Sequence, residues 1–243
     1  MILSHSLRLI FLKTRKVAGT SLEIALSAHC EDDDVITPFG GRHTWEQADE
    51  DARQAFAGRG AQNYEVPESK LRKLARRLRG KHAERNFWEH MSATDVRTRI
   101  APAIWDEYCK VSIVRNPYDF AVSNYYWFSK TGRTDLSFTD FLEAEPNRLL
   151  VNRAIIDVDG APATDVTLRY ETLSNDVAAL SERLGLGTSL SDGLASISAK
   201  GSLRPKSKTT ADVFARNPGA AEIVTQLCAE DIARYGYDRL DVA

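Results

Sequence analysis

The chain has 243 residues, enough for one large domain, and its 43% hydrophobic and 27% charged residues are ordinary for a globular protein. A formal net charge of -2 excludes a general nucleic-acid binder, which carries a basic excess, so any anion site has to be a local concentration of positive charge. Cys30, Cys109 and Cys228 are odd in number and far apart, which fits neither a disulfide framework nor a metal ligand set and suggests a reducing, cytoplasmic setting.

In chain order, "LRLIFL" reads as a buried first strand over residues 7–13. It is interrupted by Arg8, too short to span a bilayer, and followed by no small-residue cleavage site, so no stable membrane insertion is expected. A basic loop over 13–19 leads into a helix over 20–28, and the acidic "CEDDD" after it reads as a solvated loop. Residues 31–85 form a loop-rich insertion in which Leu71, Leu74, Ala75 and Leu78 recur at helical spacing among basic residues. That helix is either an amphipathic surface helix or a contact for an anionic substrate.

"NFWEHMSATDVRTRI" suggests a short strand, a loop at His90 and a helix from about Ala93, with Asp95 in its first turn. "YCKVSIV" is a nearly continuous run of strand formers, typical of a central parallel strand, and Pro117 suits the first turn of the helix after it. Asp159-Gly160 marks a turn between two extended runs, followed by a helix to about Leu184. "AAEIVTQLCAEDIARYGYD" reads as one C-terminal helix. Strands alternating with helices predict one α/β domain over 1–243, a three-layer sandwich with a largely parallel sheet and a phosphate-binding strand-loop-helix. Ligands of such sheets sit beyond the carboxyl ends of the strands, where both basic loops fall.

The first loop offers backbone N–H groups at a helix start, a glycine for close approach at Gly19, hydroxyls at Thr20 and Ser21, and a mobile charge at Lys16. Here the lysine precedes the glycine, unlike the Walker pattern, and on its own the segment also fits a plain surface β–α turn. Arg115 follows the central strand, and Ser123 lies about two helical turns on, so fork and hydroxyl can grip one phosphate from two sides.

Together, "RKVAGTSLE" and "VRNPYDFAVSNYYW" resemble the 5′-phosphosulfate loop and the 3′-phosphate segment of sulfotransferases. The likeness is greatest to the carbohydrate branch (heparan- and chondroitin-like) and its bacterial members. It implies a P-loop-like sulfotransferase fold and the donor 3′-phosphoadenosine-5′-phosphosulfate (PAPS), with no metal. It implies that Lys16, Gly19, Thr20 and Ser21 hold the phosphosulfate, beside Arg15, which stands where relatives commonly have proline. It further implies that Arg115 and Ser123 hold the 3′-phosphate and that Tyr170 of "LRYETL" contacts adenosine. Lys206 and Lys208 of "LRPKSKTTADVF" keep part of a further donor-binding pattern, and Phe120 replaces a residue that is often basic. "EHMSATDVR" resembles the segment that carries the family's histidine, so His90 becomes the expected base and Lys16 the cation at the leaving oxygen, with His43, in a loop before a helical stretch in "GRHTWEQA", in reserve. The acceptor expected is a hydroxyl on a carbohydrate or glycoconjugate, an anionic glycan among the candidates. A non-catalytic binder of nucleotides or anionic glycans, and a nucleotide-dependent kinase, are the competing readings.

Overall fold

The strand expected over 7–13 is present but is the second arm of a hairpin. In the computed structural model, which describes residues 1–40, 44–197, 205 and 208–240, β1 (Ile2–Ser4) and β2 (Leu9–Phe11) pair antiparallel, with Ile2 opposite Phe11. The turn over residues 5–8 has no glycine or asparagine to betray it; Arg8 takes its left-handed place at φ 49°. Asp34 holds this turn together, accepting Ser4 Oγ (2.9 Å), Ser6 Oγ (3.1 Å) and the His5 N–H. The last residue of the acidic run is therefore buried, whereas Glu31, Asp32 and Asp33 are solvated as expected.

After α1 (Gly19–Ser27) and β3 (Val35–Ile36), the loop-rich insertion contains α2 (Thr44–Ala55) and the expected basic helix α3 (Lys70–Leu78). Next come α4 (Ala93–Arg99), α5 (Pro102–Glu107), β4 (Cys109–Val114), α6 (Pro117–Lys130), α7 (Phe138–Ala144) and α8 (Asn147–Ile156). The short strand expected before α4 is only an isolated bridge between Arg85 and Glu65. The small ribbon of β5 (Asp157–Val158) and β6 (Ala161–Pro162) encloses the Asp159-Gly160 turn, but the run before it belongs to α8. β7 (Val166–Arg169), α9 (Leu173–Arg183), α10 (Ser189–Ser196), α11 (Thr210–Ala215), α12 (Ala220–Leu227) and α13 (Ala229–Tyr235) complete the chain. The single C-terminal helix expected is two, because Cys228 leaves helical geometry at φ -103° and ψ 16°.

The sheet runs β3-β1-β2-β4-β7 and is mixed rather than largely parallel: β1 is antiparallel to both neighbours, while β2, β4 and β7 run parallel. Alternation along β2 feeds two cores. Leu9 and Phe11 join Leu22, Ile24, Val111, Ile113, Val177 and Leu190 under α1, α9 and α10. Ile10 and Leu12 join Met91, Val96, Trp105, Val114 and Ile155 under α4, α5 and the end of α8. Helices therefore cover both faces, and a third apolar cluster, with Tyr118, Phe141 and Phe214 among its residues, ties α6, α7, α11 and α12 together. The carboxyl ends of β2, β4 and β7 open along one edge, and each continues into a segment singled out above.

Candidate functional site

The loop after β2 is bent by two left-handed residues, Lys16 at φ 59° and Ala18 at φ 60°. Non-glycine residues rarely adopt this conformation, and strain of this kind concentrates at functional sites. Ala18 is followed directly by helical Gly19, a left-handed-then-right-handed succession that turns consecutive N–H groups into one concavity. No side chain caps this helix start and its first turn holds no acid, so the end of α1 keeps its partial positive charge for a ligand. Thr20 is half-buried and Ser21 buried. Arg15 is exposed, but its backbone is fixed: its N–H donates to Asn152 Oδ1 (2.7 Å) and its carbonyl accepts from Asn152 Nδ2 (3.0 Å).

Gly19 lets the helix seat on the strand end. A Cβ here would lie 3.2 Å from Lys13 Cγ and 3.4 Å from the Thr14 carbonyl. Two ion pairs hold Lys13, so neither neighbour yields easily. We expect Gly19→Ala to cost about 1–3 kcal/mol, read as a lowered urea midpoint with unchanged slope.

Beneath the loop lies a buried ionic cluster. Lys13 Nζ is 2.7 Å from both Glu23 Oε2 and Glu89 Oε1, and Arg53 reaches Glu23 Oε1 (3.3 Å) and Glu50 (3.0 Å). The α-amino group of Met1 also meets Glu23 Oε1, at 2.9 Å. Burial alone would raise the Glu23 carboxyl, but Lys13, the Met1 amine and Arg53 hold it down at about 2. Glu89 is likewise held well below the usual carboxylate range by Lys13 and His90, against its burial.

His90 stands at the rim of this cluster in a left-handed conformation, φ 59°. Its Nδ1 faces the Lys13 carbonyl at 2.9 Å, an acceptor only, so this nitrogen carries the proton and Nε2 keeps the lone pair. Nε2 lies 3.6 Å from Glu89 Oε1. Burial pushes the imidazole down to about 3; Glu89 opposes this, and Lys13 and Arg15 add to it. His90 is thus neutral at pH 7, able to take a proton at Nε2, with a carboxylate beside it to stabilise the imidazolium that forms.

From β4, Arg115 crosses to the first loop and donates through Nη1 to the Lys16 carbonyl. It contacts Asp119 through Nε (2.8 Å) and Nη2 (2.6 Å), and its guanidinium stacks on the Tyr170 ring at 3.9 Å. Asn116 caps α6 by accepting the Tyr118 N–H (3.0 Å), and Ser123 sits half-buried one turn beyond Asp119 on the same face. Thr210 at the start of α11 donates to Asp119 Oδ1, which brings the chain two residues after half-buried Lys208 to the Arg115 partner. The Lys16 ammonium lies 5.6 Å from the Trp127 ring centroid, and Arg133 stacks on the same ring at 4.4 Å.

Lys16, Gly19, Thr20, Ser21, His90, Arg115 and Tyr170 thus share one strand-end region. His43 and Lys206 fall outside the described residues. The sequence reading passed over Lys13, Glu23, Glu89 and Asn152; the only signal for Glu89 was an acid directly before the singled-out histidine. No family model, curated protein or solved structure matches this chain. Among the described residues no group of three or more His, Cys, Asp or Glu side chains could hold a metal ion, and no helix is long and apolar enough to cross a membrane.

Proposed function

We propose that the chain is a sulfotransferase that moves the sulfuryl group of PAPS to an acceptor hydroxyl on a carbohydrate or glycoconjugate. The observation that carries this reading is the bond from Arg115 to the Lys16 carbonyl, which makes the two basic segments parts of one site. The uncapped, left-handed entry to α1 fits a phosphosulfate, as the Tyr170 ring beside Arg115 fits an adenosine 3′-phosphate. Arg115 already grips Asp119, so a phosphate there shares or takes over that fork.

In this reading the acceptor oxygen attacks sulfur, its proton passes to His90 Nε2, and the bond between sulfur and the phosphate oxygen breaks. Lys16 supplies positive charge to that departing oxygen. A second reading, a non-catalytic binder of the same ligands, draws on the low proton affinity of His90.

The test is binding followed by turnover. PAP, the desulfated product, should stabilise the protein without magnesium, by about 2.7 kcal/mol at a hundred times its dissociation constant. Arg115→Ala should weaken PAP far more than the nucleotide lacking the 3′-phosphate. Equal loss for both nucleotides, or stabilisation by magnesium-ATP alone, overturns the assignment. Release of label from PAPS across an acceptor library separates enzyme from binder.

A further inference from the structure

The helix α3 turns its apolar face outward. Leu71 is 80% exposed, Leu74 57% and Leu78 80%, the largest exposures among the exposed large hydrophobic residues. With about 100° of rotation per residue these leucines and Ala75 fall within roughly 100° of arc, so they form one continuous stripe. Residues 70–81 contain seven basic residues and no acid. Arg76 pairs with Glu68 (2.8 Å), whereas Lys70, Arg72, Lys73, Arg79 and Lys81 are exposed and without an ion pair among the described residues. Lys70 and Arg72 flank the stripe on either side, while Lys73 and Arg76 lie behind it.

The excursion that carries α3 is built to project. Its ends are tied by the Glu65–Arg85 bridge, by Val66 N–H to the Glu84 carbonyl (2.8 Å) and by Asn86 N–H to the Tyr64 carbonyl (2.8 Å). Gly80, left-handed at φ 62°, ends the helix with Lys81 N–H on the Arg76 carbonyl (3.1 Å). Phe87 then anchors the chain in the core, three residues before His90.

We propose that α3 docks the protein on an anionic bilayer surface, its leucines entering the headgroup–acyl boundary and its cations pairing with lipid phosphates. An anionic polysaccharide or nucleic acid satisfies the cations but leaves the leucine stripe in water. A second copy of this chain covers the leucines but sets two all-cationic rims against each other. A charged bilayer meets both features at once, as interfacial helices of this kind do. The inference is independent of the sulfotransferase reading.

The experiment is co-sedimentation of the full chain with vesicles of phosphatidylcholine alone and of phosphatidylcholine with phosphatidylglycerol. Binding is expected only to the mixed vesicles and should weaken with salt. Lys70→Glu/Arg72→Glu/Lys73→Glu should lower partitioning roughly a hundredfold or more, at about fivefold per basic residue lost. Leu71→Ser/Leu78→Ser should lower it at least about tenfold while leaving the thermal midpoint unchanged, since these side chains are already exposed. No partitioning onto the mixed vesicles, full retention by either variant, or a solution dimer abolished by the leucine substitutions overturns the proposal.

Discussion

Glu23→Gln should cost the fold about 3–5 kcal/mol, the penalty for removing one partner from a buried ionic network. Glutamine preserves the volume, so no cavity contributes. What remains is the Lys13 ammonium at 2% exposure and the Arg53 guanidinium at 0%, each missing a carboxylate, together with the Met1 amine. Arg53 keeps Glu50 and Lys13 keeps Glu89, which is why the domain should still fold at low temperature. Equilibrium urea denaturation measures the loss; a shift below about 1 kcal/mol would show that water reaches this cluster and screens it.

The same groups set a pH dependence. Glu23 is depressed to about 2 from 4.5, so its contribution is complete above pH 4.5 and disappears as pH falls toward 2. His90 is depressed to about 3 from 6.5, so the unfolded chain binds its proton first and stability declines as pH falls below 6.5. Acidification therefore destabilises in two stages, histidine first. His90→Gln should flatten the decline between 6.5 and 4.5 and reduce its slope from there down to about 3, where the Glu23 contribution overlaps it.

If the proposed sulfuryl transfer uses His90 as its base, His90→Ala should reduce turnover by about 10²–10⁴-fold while PAP affinity stays within about twofold, because proton transfer is lost and donor contacts are not. The pH–rate profile gives a second reading. A base held at about 3 stays unprotonated far below pH 6.5, so the acidic fall in kcat should lie well below the usual histidine range. An alanine variant with full activity would leave His90 as the residue that pins the Lys13 carbonyl, and nothing more.

The parts of this molecule legible from sequence are those whose side chains follow a regular period. β4, the α6 start at Pro117 and the α4 start at Ala93 appear where the apolar run, Pro117 and first-turn Asp95 announce them. The helical stretch read after His43 is α2, and what its sequence hides is the inward face: among the described residues it buries Asp49 and Arg53, with Arg53 stacked on Phe39 at 3.9 Å. The N-terminal hairpin escaped because Arg8 occupies the left-handed turn position that asparagine or glycine usually marks. Of the site, Lys16, Gly19 and Arg115 carry chemistry that their neighbours in sequence reveal. Lys13 meets Glu89, and Asn152 meets Arg15, across 76 and 137 positions of sequence, separations that no local pattern records.

The Asn152 clamp has one more implication. A pyrrolidine ring at position 15, as in the sulfotransferase pattern, stiffens such a loop from within by fixing φ and giving up the amide hydrogen. Here the amide hydrogen of Arg15 is one half of the grip from α8. A proline placed at position 15 of this chain would therefore surrender half of the fastening between the loop and its neighbouring helix in exchange for a fixed φ.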